Sequence, residues 1–180
     1  MEADFTGEIT QEVSGGMVTV SFVNGKKHGP TKFTASDGTV LSEIPYRDDE
    51  IHGELRQYYK SGKLLSIVSY ENGIQNGQFT SFSENGVMQI QTAYKDGNMN
   101  GKFTAYDEFG DVVQECNYID GQKYGRYTMY YPKLQGGGIF ELSYYEMGLL
   151  EGDRVTFNPT GETMTVTPYR DGRAQEYCNT

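Results

Sequence analysis

Tryptophan is absent from the 180 residues, and cysteine and histidine occur only twice each. Cys116 and Cys178 show no C-x-x-C or zinc-type spacing, which excludes a disulfide framework or a zinc ribbon and leaves two free thiols as the expectation. Basic residues are also scarce, 15 against 25 acidic, giving a net charge of −10. Binding to nucleic acid or to an anionic membrane surface wants a basic face, so both are disfavoured. No apolar run is long enough for a transmembrane helix, which leaves no direct membrane insertion. The opening residues MEADFTGEIT lack the basic and apolar regions of a signal peptide. A cytoplasmic protein is expected, or a periplasmic or surface one if a leader has been removed.

Catalytic signatures are missing too. There is no G-x-S-x-G, P-loop or dinucleotide fingerprint, and the many G-x-x-x-G spacings enclose polar residues. Carboxylates are scattered along the chain. The sequence therefore predicts a non-enzyme with no cofactor and no metal.

What is present is a period. An aromatic residue recurs at Phe22, Tyr46, Tyr70, Tyr94 and Tyr118, then at Tyr145 and Tyr169 after three extra residues. Three positions on stand Gly25, Gly73, Gly97, Gly121, Gly148 and Gly172, with Asp49 in that place once. Four further on come Gly29, Gly53, Gly77, Gly101, Gly125 and Gly152. A third series runs Gly38, Gly62, Gly86, Gly110 and Gly161. Such a shared period marks a repeat protein.

Between glycines the pattern alternates. Val40, Ser42, Ile44 and Tyr46 share one strand face, and Leu64, Ser66, Val68 and Tyr70 repeat it, as do Val112, Gln114, Cys116 and Tyr118. Because the period of 24 is even, equivalent side chains form ladders. A second, aromatic strand follows in each copy, ending at Tyr58, Phe82, Tyr106 and Tyr130. Each repeat is thus a β-hairpin, with glycine supplying the positive φ of its tight turns.

The fold class predicted is all-β: an elongated, curved antiparallel meander of about seven hairpins, roughly 14 strands in all. One domain spans 1–180, with a degenerate N-terminal cap (1–21), repeats over 22–168 and a partial copy (169–180). The cap fits through Phe5, Gly15 and Gly16 but lacks the paired-glycine turn. Aromatics are plentiful, 15 Tyr and 9 Phe, while hydrophobic residues are only 36 %. Tyr suits a thin sheet, with its ring packed and its hydroxyl wet.

These residues resemble a MORN repeat, whose pattern Y-x-x-G-x-x-x-G-x-x-x-x-Y is met by Tyr70-Gly73-Gly77-Phe82, Tyr94-Gly97-Gly101-Tyr106 and Tyr118-Gly121-Gly125-Tyr130. The added Gly62, Gly86 and Gly110 resemble the variant repeat of bacterial antitoxins. That resemblance implies a protein partner, with a basic toxin neutralised by an immunity protein as the first reading. A MORN scaffold or adaptor, or a secreted or surface repeat protein, is the alternative.

Two surfaces are candidates for the partner: the aromatic face of Tyr58, Phe82, Tyr106 and Tyr130, and the lengthened loop with Tyr131, Pro132, Lys133 and Leu134, where the array breaks its rule. Acidic turn residues, among them Asp48, Asp49, Glu50, Glu71, Glu84, Asp96, Asp107, Glu108 and Asp120, suggest a negative strip along one edge, suited to a basic partner. His28 and His52 stand 24 apart, each before a second-series glycine. Stacked repeats hold such positions about 10 Å apart, too far to share an ion.

Overall fold

A computed structural model describes residues 4–176, so Cys178 lies outside it. The described chain is all-β and antiparallel, apart from one turn of 3₁₀ helix at Lys133–Gln135. Two compact units divide it between Val87 and Met88. The first holds β1 (Gly7–Val13), β2 (Gly16–Val23), β3 (Lys26–Ala35), β4 (Val40–Arg47), β5 (Glu50–Ile51), β6 (Gly53–Tyr58), β7 (Leu64–Glu71) and β8 (Ile74–Phe82). The second holds β9 (Met88–Lys95), β10 (Asn98–Met99), β11 (Gly101–Tyr106), β12 (Val112–Ile119), β13 (Gln122–Tyr130), β14 (Ile139–Glu146), β15 (Leu149–Leu150), β16 (Gly152–Phe157), β17 (Thr163–Arg170) and β18 (Arg173–Ala174). Within each unit, strands pair with their sequence neighbours, as hairpins must.

The described strands outnumber two per repeat because some rungs are broken. Between β5 and β6 the register slips, and the His52 N–H donates to the Pro45 carbonyl at 2.9 Å. Asn100 and Glu151 do the same to Ala93 and Tyr144, splitting β10 from β11 and β15 from β16. The second-series glycine follows each break. At Gly77 φ is +111°, and a Cβ would sit 2.9 Å from that of Ser69. Both conformation and space therefore require glycine there.

Two turn types alternate. One joins repeats through two residues of positive φ, the type I′ arrangement that matches strand twist. Asn72 (φ 49°) with Gly73 (φ 80°) is typical. The exceptions are Asp49, at φ 73° where glycine is usual, and Met147, at φ 48° where the other copies carry Asn or Asp. The other type is a five-residue loop inside the hairpin. Tyr59 N–H donates to Lys63 O and Gly62 N–H to Tyr59 O, and the pattern recurs at 35–39, 83–87, 107–111 and 158–162.

Type I′ turns also stitch successive repeats together. The N–H of Gly73 donates to the Ile51 carbonyl of the preceding copy at 2.8 Å. Asp49 reaches Lys27 in the same way, Gly121 Met99, Gly148 Lys123, and Gly172 Leu150. Asp49 adds a second bond, its carboxylate accepting from the Lys27 N–H at 2.8 Å, which offsets its strained backbone.

The N-terminal copy departs from expectation. It does carry the second-series glycine: Gly7 pairs with Phe22 as Gly53 pairs with Tyr70, and Gly25 N–H bonds Phe5 O. Its inner turn is a two-residue reversal, Val13 pairing directly with Gly16, so the phase is displaced. The copy is shortened, not worn away.

The alternating face forms the core. Val68, Cys116 and Tyr127 are buried on it, with Ser66, Thr92, Ser143 and Glu141. Aromatic rungs meet edge-on, Phe103 against Tyr118 at 6.0 Å and Tyr127 against Tyr145 at 5.7 Å. Lys123 lays its ammonium over the last two rings, at 4.6 and 4.9 Å. At Arg154 this rung is no longer aromatic. The guanidinium instead donates to the buried Glu141 at 2.7 Å, which also accepts from Ser143.

Candidate functional site

The opposite face carries a charged cluster in each unit. In the first, Glu43 lies across the ladder from Lys32 on one side and Arg56 on the other. It pairs with Lys32 at 3.1 Å and accepts the Tyr58 hydroxyl at 3.0 Å. Those two bonds, the lysine's first, hold its carboxyl below the usual carboxylate range. Burial, then Glu43, raises the Tyr58 phenol. In the second unit Glu115 pairs with Lys102 and accepts the Tyr130 hydroxyl at 3.0 Å. Glu115 is likewise lowered, chiefly by Lys102.

The clusters differ at one ladder position. Threonines, Thr104 and Thr128, stand opposite Glu115 where Lys32 and Arg56 stand opposite Glu43. The cations of the second unit have moved to Lys102 and Arg126. A cleft of about 230 Å³ opens over Thr128, lined also by Glu115, Asn117 and Tyr130. In the first unit the longer side chains of Lys32 and Arg56 take that position.

The aromatic row is therefore tied down. Tyr58 and Phe82 belong to the first unit, Tyr106 and Tyr130 to the second, and all four are half-buried. The hydroxyls of Tyr58 and Tyr130 are bound to carboxylates, and the Phe82 carbonyl accepts the Tyr59 hydroxyl at 2.8 Å. Sequence reasoning missed Glu43 and Glu115, although each stands three residues before a repeat tyrosine and fifteen before the tyrosine it binds.

The lengthened loop divides by role. Tyr131 turns inward, its hydroxyl donating to Phe157 O at 2.9 Å and its ring edge-on to Phe140 at 5.2 Å. Pro132 opens the 3₁₀ turn and accepts the Gln135 N–H. Lys133 forms an ion pair with Asp111, on the neighbouring turn. Leu134 stands 85 % exposed at the tip. On that neighbouring turn Phe109 is 66 % exposed, beside Glu108. The Asp107 carboxylate there accepts the N–H groups of Phe109 and Asp111.

The histidines serve the next turn. His52 Nδ1 accepts the Asn72 N–H at 3.4 Å, and His28 Nδ1 lies 3.5 Å from the Asp48 carboxylate. Thr6 and Glu151 hold the same place under Asn24 and Asp171. Thr6, His52 and Glu151 each accept a backbone N–H of the next turn, whereas His28 faces a carboxylate there. Cys116 is 3 % exposed, and burial pushes its thiol up, favouring the protonated form.

A single acidic edge does not form. Asp48, Asp49, Glu50, Glu71, Asp96 and Asp120 sit at type I′ turns, where Lys26, Lys27, Arg47 and Lys95 join them, while Glu84, Asp107 and Glu108 sit at the five-residue loops. A hairpin puts these turn types at opposite ends of its strands, so the acids divide.

Gly73, Gly97 and Gly121 occupy the second position of the type I′ turns, while Gly77, Gly101 and Gly125 follow at positive φ in the second series. No curated protein matches the chain. Residues 51–72, 75–96 and 99–120 each match the family model of the MORN repeat variant, three consecutive units of this chain.

Proposed function

We propose that the chain is a non-catalytic protein-binding repeat of the immunity type, which holds a basic protein toxin in neutralised form. The matched MORN-type repeats support protein binding. The observation that carries the reading is the loop tip: Leu134 is held out in solvent by the anchored Tyr131 and Lys133, beside the turn that bears Phe109 and Glu108. An apolar anchor within acidic surroundings suits a basic protein, whose approach the net charge of −10 would speed.

A tagged pull-down from the native host, with retained proteins identified by mass spectrometry, tests this. One basic protein near one-to-one, lethal alone and harmless on co-expression, is the expected result. Recovery of a larger cytoskeletal or envelope assembly would replace it with a scaffold reading. Replacing residues 132–134 with a glycine turn should weaken capture at least tenfold, and unchanged affinity would remove the loop from the binding surface.

A further inference from the structure

Near the opposite end of β14, three type I′ turns lie side by side, at Asp120 and Gly121, Met147 and Gly148, and Asp171 and Gly172. Gly148 N–H bonds Lys123 O, and Gly172 N–H bonds Leu150 O. The middle turn breaks the local rule. An unbranched apolar side chain in the left-handed region gains nothing there, whereas Asn and Asp hydrogen-bond locally and tolerate it.

Met147 is nonetheless 74 % exposed, and it is not alone. Ile119 and Tyr124 beside the first turn, and Leu149 beside the second, are 48 %, 43 % and 49 % exposed. Met147 walls two clefts. One, of about 200 Å³, is shared with Ile119 and Tyr124. The other, of about 240 Å³, is lined by Leu149, Glu146, Glu151 and Asp171, with no basic residue. Lys123, in the first cleft, holds its ammonium over the rings of Tyr127 and Tyr145. Arg170 and Arg173 flank the last turn but line neither cleft.

We infer that this patch is a docking surface for a basic protein segment in which lysine or arginine alternates with an apolar residue. The apolar residue fits between Met147, Ile119 and Tyr124. A neighbouring cation lays its aliphatic stem on Met147 and Leu149 and directs its charge to Glu146, Glu151 and Asp171. Methionine suits the role because its flexible, polarisable side chain adapts to what it meets. The surface does not depend on the loop at residues 131–138, which joins the other end of β14.

Met147→Asn separates binding from folding, because asparagine fills the same turn position at Asn24 and Asn72. The probe is a fluorescein-labelled peptide of alternating lysine and leucine, read by anisotropy at low and high salt on the full chain. The wild type should bind it, with affinity falling as salt rises. Met147→Asn and Leu149→Gln should each weaken binding at least fivefold, and the pair at least tenfold, with thermal midpoints equal to or above the wild type. Charge removal in the first unit, Asp48→Asn with Glu50→Gln, should leave it unchanged.

No binding by the wild type would overturn the inference. So would equal binding by the double variant, or concentration-dependent dimerisation in sedimentation that Met147→Asn abolishes, since the occupant would then be a second copy. A host toxin captured equally by wild type and double variant would sink this inference and leave the immunity reading standing.

Discussion

Hairpin β6–β7 and hairpin β13–β14 are built to one plan and kept differently. The first lies within the matched repeats. Its loop is five residues, and the Asn72–Gly73 turn that follows has ordinary type I′ residues. The second opens its loop to 131–138, follows β14 with a turn that begins at Met147 and places the buried Glu141 where Ser66 stands in the first. Both keep the stitch to the preceding copy, through Gly73 and Gly148. The comparison teaches what the architecture holds fixed: backbone seams and the ladder face. Loop length, turn chemistry and rung polarity vary around them.

Glycine substitution should show the largest contrast. Gly77→Ala meets Ser69 and a φ of +111°, and should cost about 3 kcal/mol in urea unfolding. Gly125 has φ +76° with open space around it, so Gly125→Ala should cost about 1 kcal/mol. Equal costs would show that packing beside the glycine does not matter.

Glu141→Ala comes next. It takes the carboxylate away from Arg154, whose side chain is 41 % exposed, and should lower stability by about 2 kcal/mol. Adding Arg154→Tyr, which restores the aromatic rung of the previous repeat, should recover most of that. Failure to recover would mean the ion pair is needed in its own right.

The two charged clusters should respond alike to a third change. Tyr58→Phe and Tyr130→Phe each remove one half-buried bond to a carboxylate, for about 1 kcal/mol. A clearly larger loss at Tyr130 would show that the neighbouring cleft amplifies the effect. The smallest change runs the other way. Met147→Asn should stabilise by about 0.5 kcal/mol, raising the urea midpoint. A lower midpoint would mean that methionine's contacts at that turn outweigh its backbone strain.

Much of this was legible in residues. Asn72 with Gly73, and Asp120 with Gly121, announce type I′ turns, because that geometry demands positive φ twice. The alternation ending at Tyr70 and Tyr118 marks the buried face by parity alone. The shortened first copy was not legible, since losing two residues from its turn moves Gly7 out of phase. The tie from Tyr130 to Glu115 spans strands and runs diagonally, because Glu115 stands opposite Thr128, two residues before the tyrosine. Met147 falls on the period like any other turn residue, and only its backbone angle marks it as an exception. The exposure of Leu134 against the inward turn of Tyr131 was not legible either, because both occupy one insertion.

The seams imply a direction of growth. In each one, the accepting carbonyl belongs to the earlier repeat and the donating N–H to the later. A chain emerging from the ribosome amino-terminus first thus presents each template before the segment that reads it. Hairpins can be added one at a time, each on a finished surface, with no need to wait for the carboxy-terminal end.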